Sequence, residues 1–471
     1  MDHRAAGHDA YEHADSYRRG IFAPVADELV ADDLRVEGEL PRELRGTFAR
    51  NGSNPRFEPR GRYHWFDGDG MVHAVRIEEG RASYRNRWVR TRAFDKESEA
   101  GRALWTGIME PVDLANPNGP VKDTANTDLA FHAGRLLALF WLSGDPYELA
   151  LPSLETRGRA SFGADRLRFA SHPKVDAGTG ELMFFDYSTV AAPYLTYGVL
   201  SREGKLVRKV PIDLPGPRLL HDIAITERYT VFLDFPMLWR ADKLKAGKRR
   251  VVFDQELPSR FGIIPRHGEA KDVRWFEASP CYVYHAAACY EEGDEVVFVG
   301  SRIESPIPPP GAYDGRRPRL DFLELVPYLH RWRFDMKSGK VREERLDERP
   351  TEFPRIDDAR QGRRVRFVYL ARLAPAPTLL FEAIVKHDLG RGTSAAHEFG
   401  PGRFGSEATF VPRPGAKDED DGWLVSLVSS EDGPGELEVW DARDMSSPPL
   451  ARVTLPRRVP VGFHACWVPG A

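Results

Sequence analysis

A short β-prone run, a tight glycine-bearing turn and a second β-prone run recur along almost the whole chain. This pattern limits the fold more than any other feature. "HPKVDAGTGELMFFDYS" (172–188), "YGVLSREGKLVRKVPI" (197–212), "LHRWRFDMKSGKVREERL" (329–346) and "WLVSLVSSEDGPGELEVWDARD" (423–444) are four instances. Turn residues between β-branched and aromatic runs mark antiparallel hairpins. Long helical periodicity is rare. Many short antiparallel strands over roughly 400 residues imply several sheets set around an axis, as in a β-propeller. No strict repeat of the WD40 kind is present, so a stacked double sandwich is the competing all-β architecture.

Proline-rich insertions such as "ESPIPPPGAYDGRRPRL" (304–320) and "FPMLWRADKLKAGKRR" (235–250) interrupt the hairpins as long loops that can cap one face. Residues 1–35 read as a lead-in segment with a short helix around "PVADELVADDL" (24–34), and residues 36–471 as one domain.

The 471 residues are 41% hydrophobic, 11% aromatic and 29% charged, the balance of a globular chain with a large core. A net charge of -4 gives no polycationic footprint, which argues against nucleic acid as a partner. The polar N-terminus lacks the apolar stretch of a secretory signal, and no apolar run approaches a membrane span. The cysteines, Cys281, Cys289 and Cys466, are odd in number and sparse, which fits a reducing cytoplasm rather than a disulfide framework. No obligate protein partner is evident.

Four histidines share a context. His172 ("RFASHPKVD"), His221 ("PRLLHDIAI"), His285 ("CYVYHAAACY") and His464 ("VGFHACWV") sit at or in predicted strands among apolar or small neighbours. Taken singly, each is accounted for as a hydrogen-bonded core histidine. Taken together they can form one metal site, because neutral imidazole suits iron, zinc and copper. Their wide spacing excludes a finger or an HExxH helix, so tertiary structure would have to assemble the site. His64 and His73 flank "WFDGDGM", which lacks a full calcium loop and reads as a tight turn.

Further stretches carry a resemblance to a known family. "GTFARNGSNPRF", "YHWFDGDGMVHAVRI", "DTANTDLAFHAGRLLAL", "LHDIAITERYTVFLD", "RWFEASPCYVYH", "TEFPRID", "FVPRPGA" and "GFHACWVP" occur in order from about residue 20 to 469. Together they resemble the carotenoid cleavage oxygenases. The resemblance implies a seven-bladed β-propeller with a loop and helix dome over the iron-bearing face. It implies one non-haem Fe(II) per chain on His172, His221, His285 and His464, with O₂ as co-substrate. It assigns Glu352 and Glu407 to carboxylates that orient the iron-binding imidazoles, and Thr127 to a threonine that crowds one open position of the iron. Carboxylates that accept the outer ring N–H raise the basicity of the ligands.

The chain departs from the family at one position. Fourteen residues after the threonine, where the family usually has a third glutamate, this sequence has Trp141. One histidine then lacks a carboxylate and uses a backbone carbonyl or water. Two positions that bear lysine and tyrosine in the stilbene-cleaving branch fall on Phe140 and near Ile108 or Met109. Both have become apolar. Phe140, Trp141 and Trp239 are candidates for a substrate tunnel. "FPMLWR" (235–240) can contact a membrane surface transiently or serve as a buried loop anchor. Cys281 and Cys466 lie near the histidines but read as small buried hydrophobes, outside the ligand set.

The function these expectations describe is oxidative cleavage of a conjugated C=C bond of a carotenoid or apocarotenoid to carbonyl products. The substrate would be a lipophilic small molecule. Cleavage of an aryl alkene of the stilbene or phenylpropene type is the second reading. A metal-poor propeller that binds an apolar ligand without turnover is the third.

Overall fold

The computed structural model describes residues 15–164, 166–240, 242–243, 251–307, 315–320 and 323–470. The hairpins sort into seven antiparallel blades. Blade II comprises Asp128–His132, Arg135–Leu139, Tyr147–Leu149 and Thr156–Arg159, in sequence order across the sheet. Blade III comprises Lys174–Val175, Leu182–Tyr187, Leu195–Leu200 and Leu206–Ile212. Blade IV comprises Ile223–Ile225, Tyr229–Asp234, Ser259–Pro265 and Arg274–Ala278.

Blade V starts with Tyr282–Glu292 and ends on Val341–Arg355, a strand long enough to serve two blades. Its first part pairs with Tyr328–Asp335, and its last part, through Thr351, Glu352 and Arg355, pairs with Phe367–Leu373 of blade VI. Blade VII runs from Thr409–Pro412 through Gly422–Ser430 and Glu436–Asp441 to Ala451–Thr454, and Val36–Gly38 adds at its edge. This is the propeller foreseen from the hairpin pattern; the double sandwich is excluded.

Blade I closes the ring. Its innermost strand is the C-terminal Ala465–Pro469, paired with Gly46–Ser53, which is followed outward by Gly70–Glu78 and Arg81–Trp88. Joining the two ends of the chain in one sheet leaves no free edge at the closure, the edge that would otherwise template association. All eight residues of Gly46–Ser53 are buried, because strands of the next layers flank both faces.

The lead-in is different from the expectation. Residues 24–34 form no helix; they are extended and contribute Val30–Ala31 to the outer edge of blade I. Short 3₁₀ turns occur earlier, at Asp15–Arg18 and Gly20–Phe22. Tyr17, Ile21 and Phe22 are buried in the largest core cluster, with Tyr17 stacked on Trp65 at 5.2 Å between centroids. These residues therefore belong to the dome. Residues 1–14 lie outside the described residues.

The "WFDGDG" stretch is a 3₁₀ turn, Trp65–Asp67. His64 Nδ1 accepts from the Phe66 N–H and Asp67 accepts from the His64 N–H, a reciprocal cap. The α-helix Arg92–Ala100 begins on a Thr91 side-chain cap and stops at Gly101, whose φ of 67° an L side chain adopts at a cost. Of "FPMLWR", Met237 and Trp239 are buried in a two-stranded piece with Val251–Phe253. The anchor reading, not membrane contact, describes these side chains. No helix of the described residues is long and apolar enough to cross a membrane.

Deleting residues 465–471 removes the closing strand, and the variant should lose the single cooperative unfolding transition. Phe48→Ala, which empties a fully buried site, should lower stability by about 3–5 kcal/mol in denaturant titration.

Candidate metal centre

Each of the four histidines sits where an innermost strand begins or is irregular. His172 immediately precedes the Pro173 and Lys174–Val175 segment of blade III, and His221 lies two residues before Ile223–Ile225 of blade IV. His464 directly precedes Ala465–Pro469. His285 lies in Tyr282–Glu292, between Val283 and Ala286 where the register shifts. A bulge re-aims a side chain off the regular alternation. His172 holds φ at 66°, a conformation costly for a branched-ring residue and found mostly where the surroundings enforce it.

These irregular positions bring the rings together on the axis. His172, His285 and His464 offer ring nitrogens that all lie within 4.8 Å of one another. His221 Nε2 lies 3.3 Å from His172 Nε2 and 3.2 Å from His285 Nε2. Ring centroids of neighbouring pairs are 4.4–5.0 Å apart. All four residues are buried.

The outer nitrogens find carboxylates. His464 Nδ1 is 3.1 Å from Glu407 Oε1, and His285 Nδ1 is 2.5 Å from Glu352 Oε2. His172 Nδ1 is 3.0 Å from Asp128 Oδ2. A carboxylate on Nδ1 fixes the tautomer that leaves Nε2 with its lone pair toward the cluster. Asp128 was not singled out in the sequence. Its signal was available, since it directly follows Thr127 and opens the innermost strand of blade II. His221 is the histidine without a carboxylate: its Nδ1 has no hydrogen-bond partner among the described residues.

Trp141 does not fill that role. Its main-chain N–H donates to Thr127 Oγ1 at 3.1 Å, and its carbonyl accepts from the Tyr187 hydroxyl at 3.2 Å. Thr127 Oγ1 in turn donates to Asn126 Oδ1 at 3.0 Å, so its hydroxyl is engaged in both directions within the protein. Glu407 also accepts from the Ala465 N–H and from Arg355.

Charge follows this geometry. Burial, together with the crowding of the rings, pushes His172, His221 and His285 well below the ordinary imidazole range. Burial also opposes charge on His464, but the neighbouring Glu407 outweighs it and raises the group. Burial would raise Glu407, yet Arg355, His464 and the Ala465 N–H hold it below the usual carboxylate range. Glu352 has no arginine beside it, and burial outweighs the Phe353 N–H and His464 and pushes it up to about 8. Three neutral imidazoles and an imidazole–carboxylate pair form a donor set suited to a divalent metal.

Two surroundings meet at this centre. An apolar cavity of about 30 Å³ lies against Thr127, His221, His285 and His464, walled by aromatics such as Phe66, Phe353 and Phe463. A second of about 60 Å³ shares Phe66, His221, Tyr284 and Leu320 with it and is walled further by Trp141 and Trp239. A third of about 50 Å³ continues past Ile108, Phe140 and Trp141 toward Arg60 and Trp105. The tunnel candidates Phe140, Trp141 and Trp239 are thus cavity-lining residues, and Ile108 joins them. Met109 is buried without being among the lining residues. On the other side, a wider cavity of about 610 Å³ with a mixed lining reaches His172, His285 and His464 past Lys174, Arg355 and Cys466. Cys281 pairs with Ser259 at 3.4 Å and is raised to about 11 by burial, an inert thiol.

A seven-bladed propeller with a buried axial cluster of four histidines, an apolar cavity on one side and a wider charge-bearing one on the other, is the scaffold of a metal-binding protein. Comparison with known proteins is specific. Residues 22–469 match the family described as retinal pigment epithelial membrane protein. A carotenoid 9,10(9′,10′)-cleavage dioxygenase of Pisum sativum is 38% identical over 95% of this chain and 89% of its own length. The crystal structure of Pseudomonas brassicacearum lignostilbene dioxygenase superposes with a TM-score of 0.88 at 32% identity, covering 96% of this chain and 98% of its own. A cobalt-substituted Synechocystis apocarotenoid oxygenase does so with a TM-score of 0.84 at 29% identity, covering 95% and 97%. The chain belongs to this family, the carotenoid cleavage oxygenases.

Asp128→Asn keeps a hydrogen-bond acceptor beside His172 but removes the charge. Metal affinity measured by chelator competition should fall about 10–100-fold. In the metal-free protein burial keeps a proton on Glu352 at neutral pH, and a bound cation displaces it. Affinity should therefore rise with pH up to about 8, where Glu352 ionises unaided. A pH-independent affinity would contradict this assignment of the protons.

Proposed function

We propose that this protein is an iron-dependent oxygenase that splits a conjugated C=C bond of a carotenoid or apocarotenoid into two carbonyl products, with O₂ as co-substrate. The observation that carries the reading is the apolar cavity lying directly against the four-histidine cluster. In this reading His172, His221, His285 and His464 hold one Fe(II) per chain through Nε2. Asp128, Glu352 and Glu407 orient three of the imidazoles and offset the charge that four neutral ligands leave on the metal. When bound, iron supplies the redox partner that ground-state O₂ needs to react with an alkene. The histidine-lined cavity brings the double bond beside it, and Thr127 narrows the space there.

The remaining work is done by apolar walls. Phe66, Phe353 and Phe463 exclude water and present flat faces to a polyene. Phe140 and Ile108 are apolar where the stilbene-cleaving branch bears lysine and tyrosine, which favours a hydrocarbon-rich polyene, while Arg60, Lys122 and Tyr63 in the same outer cavity keep the aryl alkene reading open. The aryl alkene reading has its own support in the 0.88 superposition on a lignostilbene dioxygenase. The three cysteines are free and buried, which supports a reducing compartment such as the cytoplasm.

Product analysis by mass spectrometry after aerobic incubation of the iron-loaded protein with apocarotenals and aryl alkenes tests the proposal. Two carbonyl fragments from the polyenes are expected. Cleavage of stilbenes alone would transfer the assignment to the second reading. Purified protein that takes up no stoichiometric Fe(II) yet binds the polyenes would favour a binding protein without turnover.

A further inference from the structure

Two spaces adjoin the four-histidine cluster, and only one of them suits an ion. The apolar cavity against Thr127 and His221 measures about 30 Å³, and its described lining carries Glu352 as a single acid. At roughly 10–15 Å³ for each enclosed water it takes two or three, far short of a hydration shell. A cation stripped of water among aromatic walls is strongly disfavoured.

The axial cavity on the other side measures about 610 Å³ and begins at the surface. Glu43, Ala177, Asp358 and Ala359 at its outer end are exposed, whereas His172, His285 and His464 at its inner end are buried. Its described lining carries six carboxylates against three cationic side chains, a surplus of three negative charges. Glu43, Asp357 and Asp358 lie toward the mouth, and Asp128, Asp222 and Glu407 are buried inside. The two inner cations are already answered: Lys174 pairs with Asp222 at 2.7 Å, and Arg355 pairs with Asp358 at 2.8 Å and with Glu407 at 3.2 Å. The surplus therefore acts on whatever enters. A cleft with an excess of one sign and low-dielectric walls focuses its field and concentrates the counter-ion.

We propose that the axial cavity is the route by which a divalent metal reaches and leaves the four-histidine centre, with Glu43, Asp357 and Asp358 gathering the cation at its mouth. The inference rests on the metal-binding reading above and adds the direction of loading. Arg355, which reaches from Asp358 near the mouth to Glu407 beside His464, marks the passage between the two ends. Metal exchange and substrate binding then use opposite sides of the centre, so a polyene in the apolar cavity leaves the loading path open.

Co(II) is the probe, added to the metal-free, full-length protein, with uptake followed by its visible absorption and release by transfer to a chelator. Glu43→Gln combined with Asp357→Asn should slow uptake at low salt about tenfold, the lower end of electrostatic focusing, and flatten its dependence on ionic strength. Asparagine keeps the acceptor that Asp357 offers to the Ala359 N–H. Ala359→Trp, which narrows the mouth, should slow uptake and release by the same factor and leave affinity as in wild type, because a barrier on the path acts in both directions. Ala177→Trp serves as the second variant should Ala359→Trp fail to fold. A hydrocarbon polyene bound in the apolar cavity should leave both rates unchanged. Wild-type rates in all of these variants, or uptake stopped by the polyene, would overturn the route. A correctly folded wild type that takes up no Co(II) would overturn the metal-binding reading itself, and the route with it.

Discussion

The structure depends on carboxylates that reach across blade boundaries at the axis. Asp128 of blade II accepts from both the main-chain N–H and the ring of His172 in blade III. Glu352, at the entry to blade VI, holds His285 of blade V, and Glu407, leading into blade VII, holds His464 at the start of the closing strand. Asp222, beside His221, accepts from the Ala286 N–H of blade V and pairs with Lys174 of blade III at 2.7 Å. A buried carboxylate is tolerable only when its hydrogen bonds are made. Each of these makes them to the next blade, so the packing of the ring and the aim of the imidazoles are one constraint.

That constraint also explains the sharp change of environment along the axis. Irregular strand starts place the histidines at the axis. They are covered by Trp65 and Phe66 from the turn between the first two strands of blade I, by Phe353 from the long strand Val341–Arg355 and by Phe463 beside His464. On this side there is little to solvate a charge, which suits a lipophilic substrate and a reaction that water would intercept. On the other side Lys174, Arg355 and their acidic partners line the wider cavity. The centre is held between a low-dielectric reaction space and a charged support that stabilises Glu407 as an anion.

Relatives with the same architecture differ in what their names say they act on: a carotenoid in one case, a lignostilbene in another. A fold of this kind does not choose the substrate; the residues that wall the cavity do. In this chain Phe140 and Ile108 share the outer cavity with Arg60, Lys122 and Tyr63, whereas Tyr284, Trp141 and Trp239 wall the space deeper inside. The centre has three carboxylates because Asp128 stands at His172, and the histidine left without one is His221.

Much of this was legible in the sequence, because it rests on local rules. Alternating strands and turn residues announced the blades, whereas four histidines in apolar strand-start contexts read equally as separate core residues until the family resemblance joined them in one site. Glu352 and Glu407 were legible only through resemblance, since nothing in "TEFPRID" or "GSEATFVP" alone says which histidine they meet. The helix expected at residues 24–34 failed because pairing with Arg81–Trp88 outweighed a weak helical pattern. Asp128 and the packing of Tyr284 on His221 were not legible. Which carboxylate faces which ring depends on how seven blades twist against one another. The chain by itself determined the blades and the ligand types. Only the closed ring, with its C-terminal strand paired to Gly46–Ser53, decided their partners, because those contacts join residues far apart in sequence and no local periodicity encodes them.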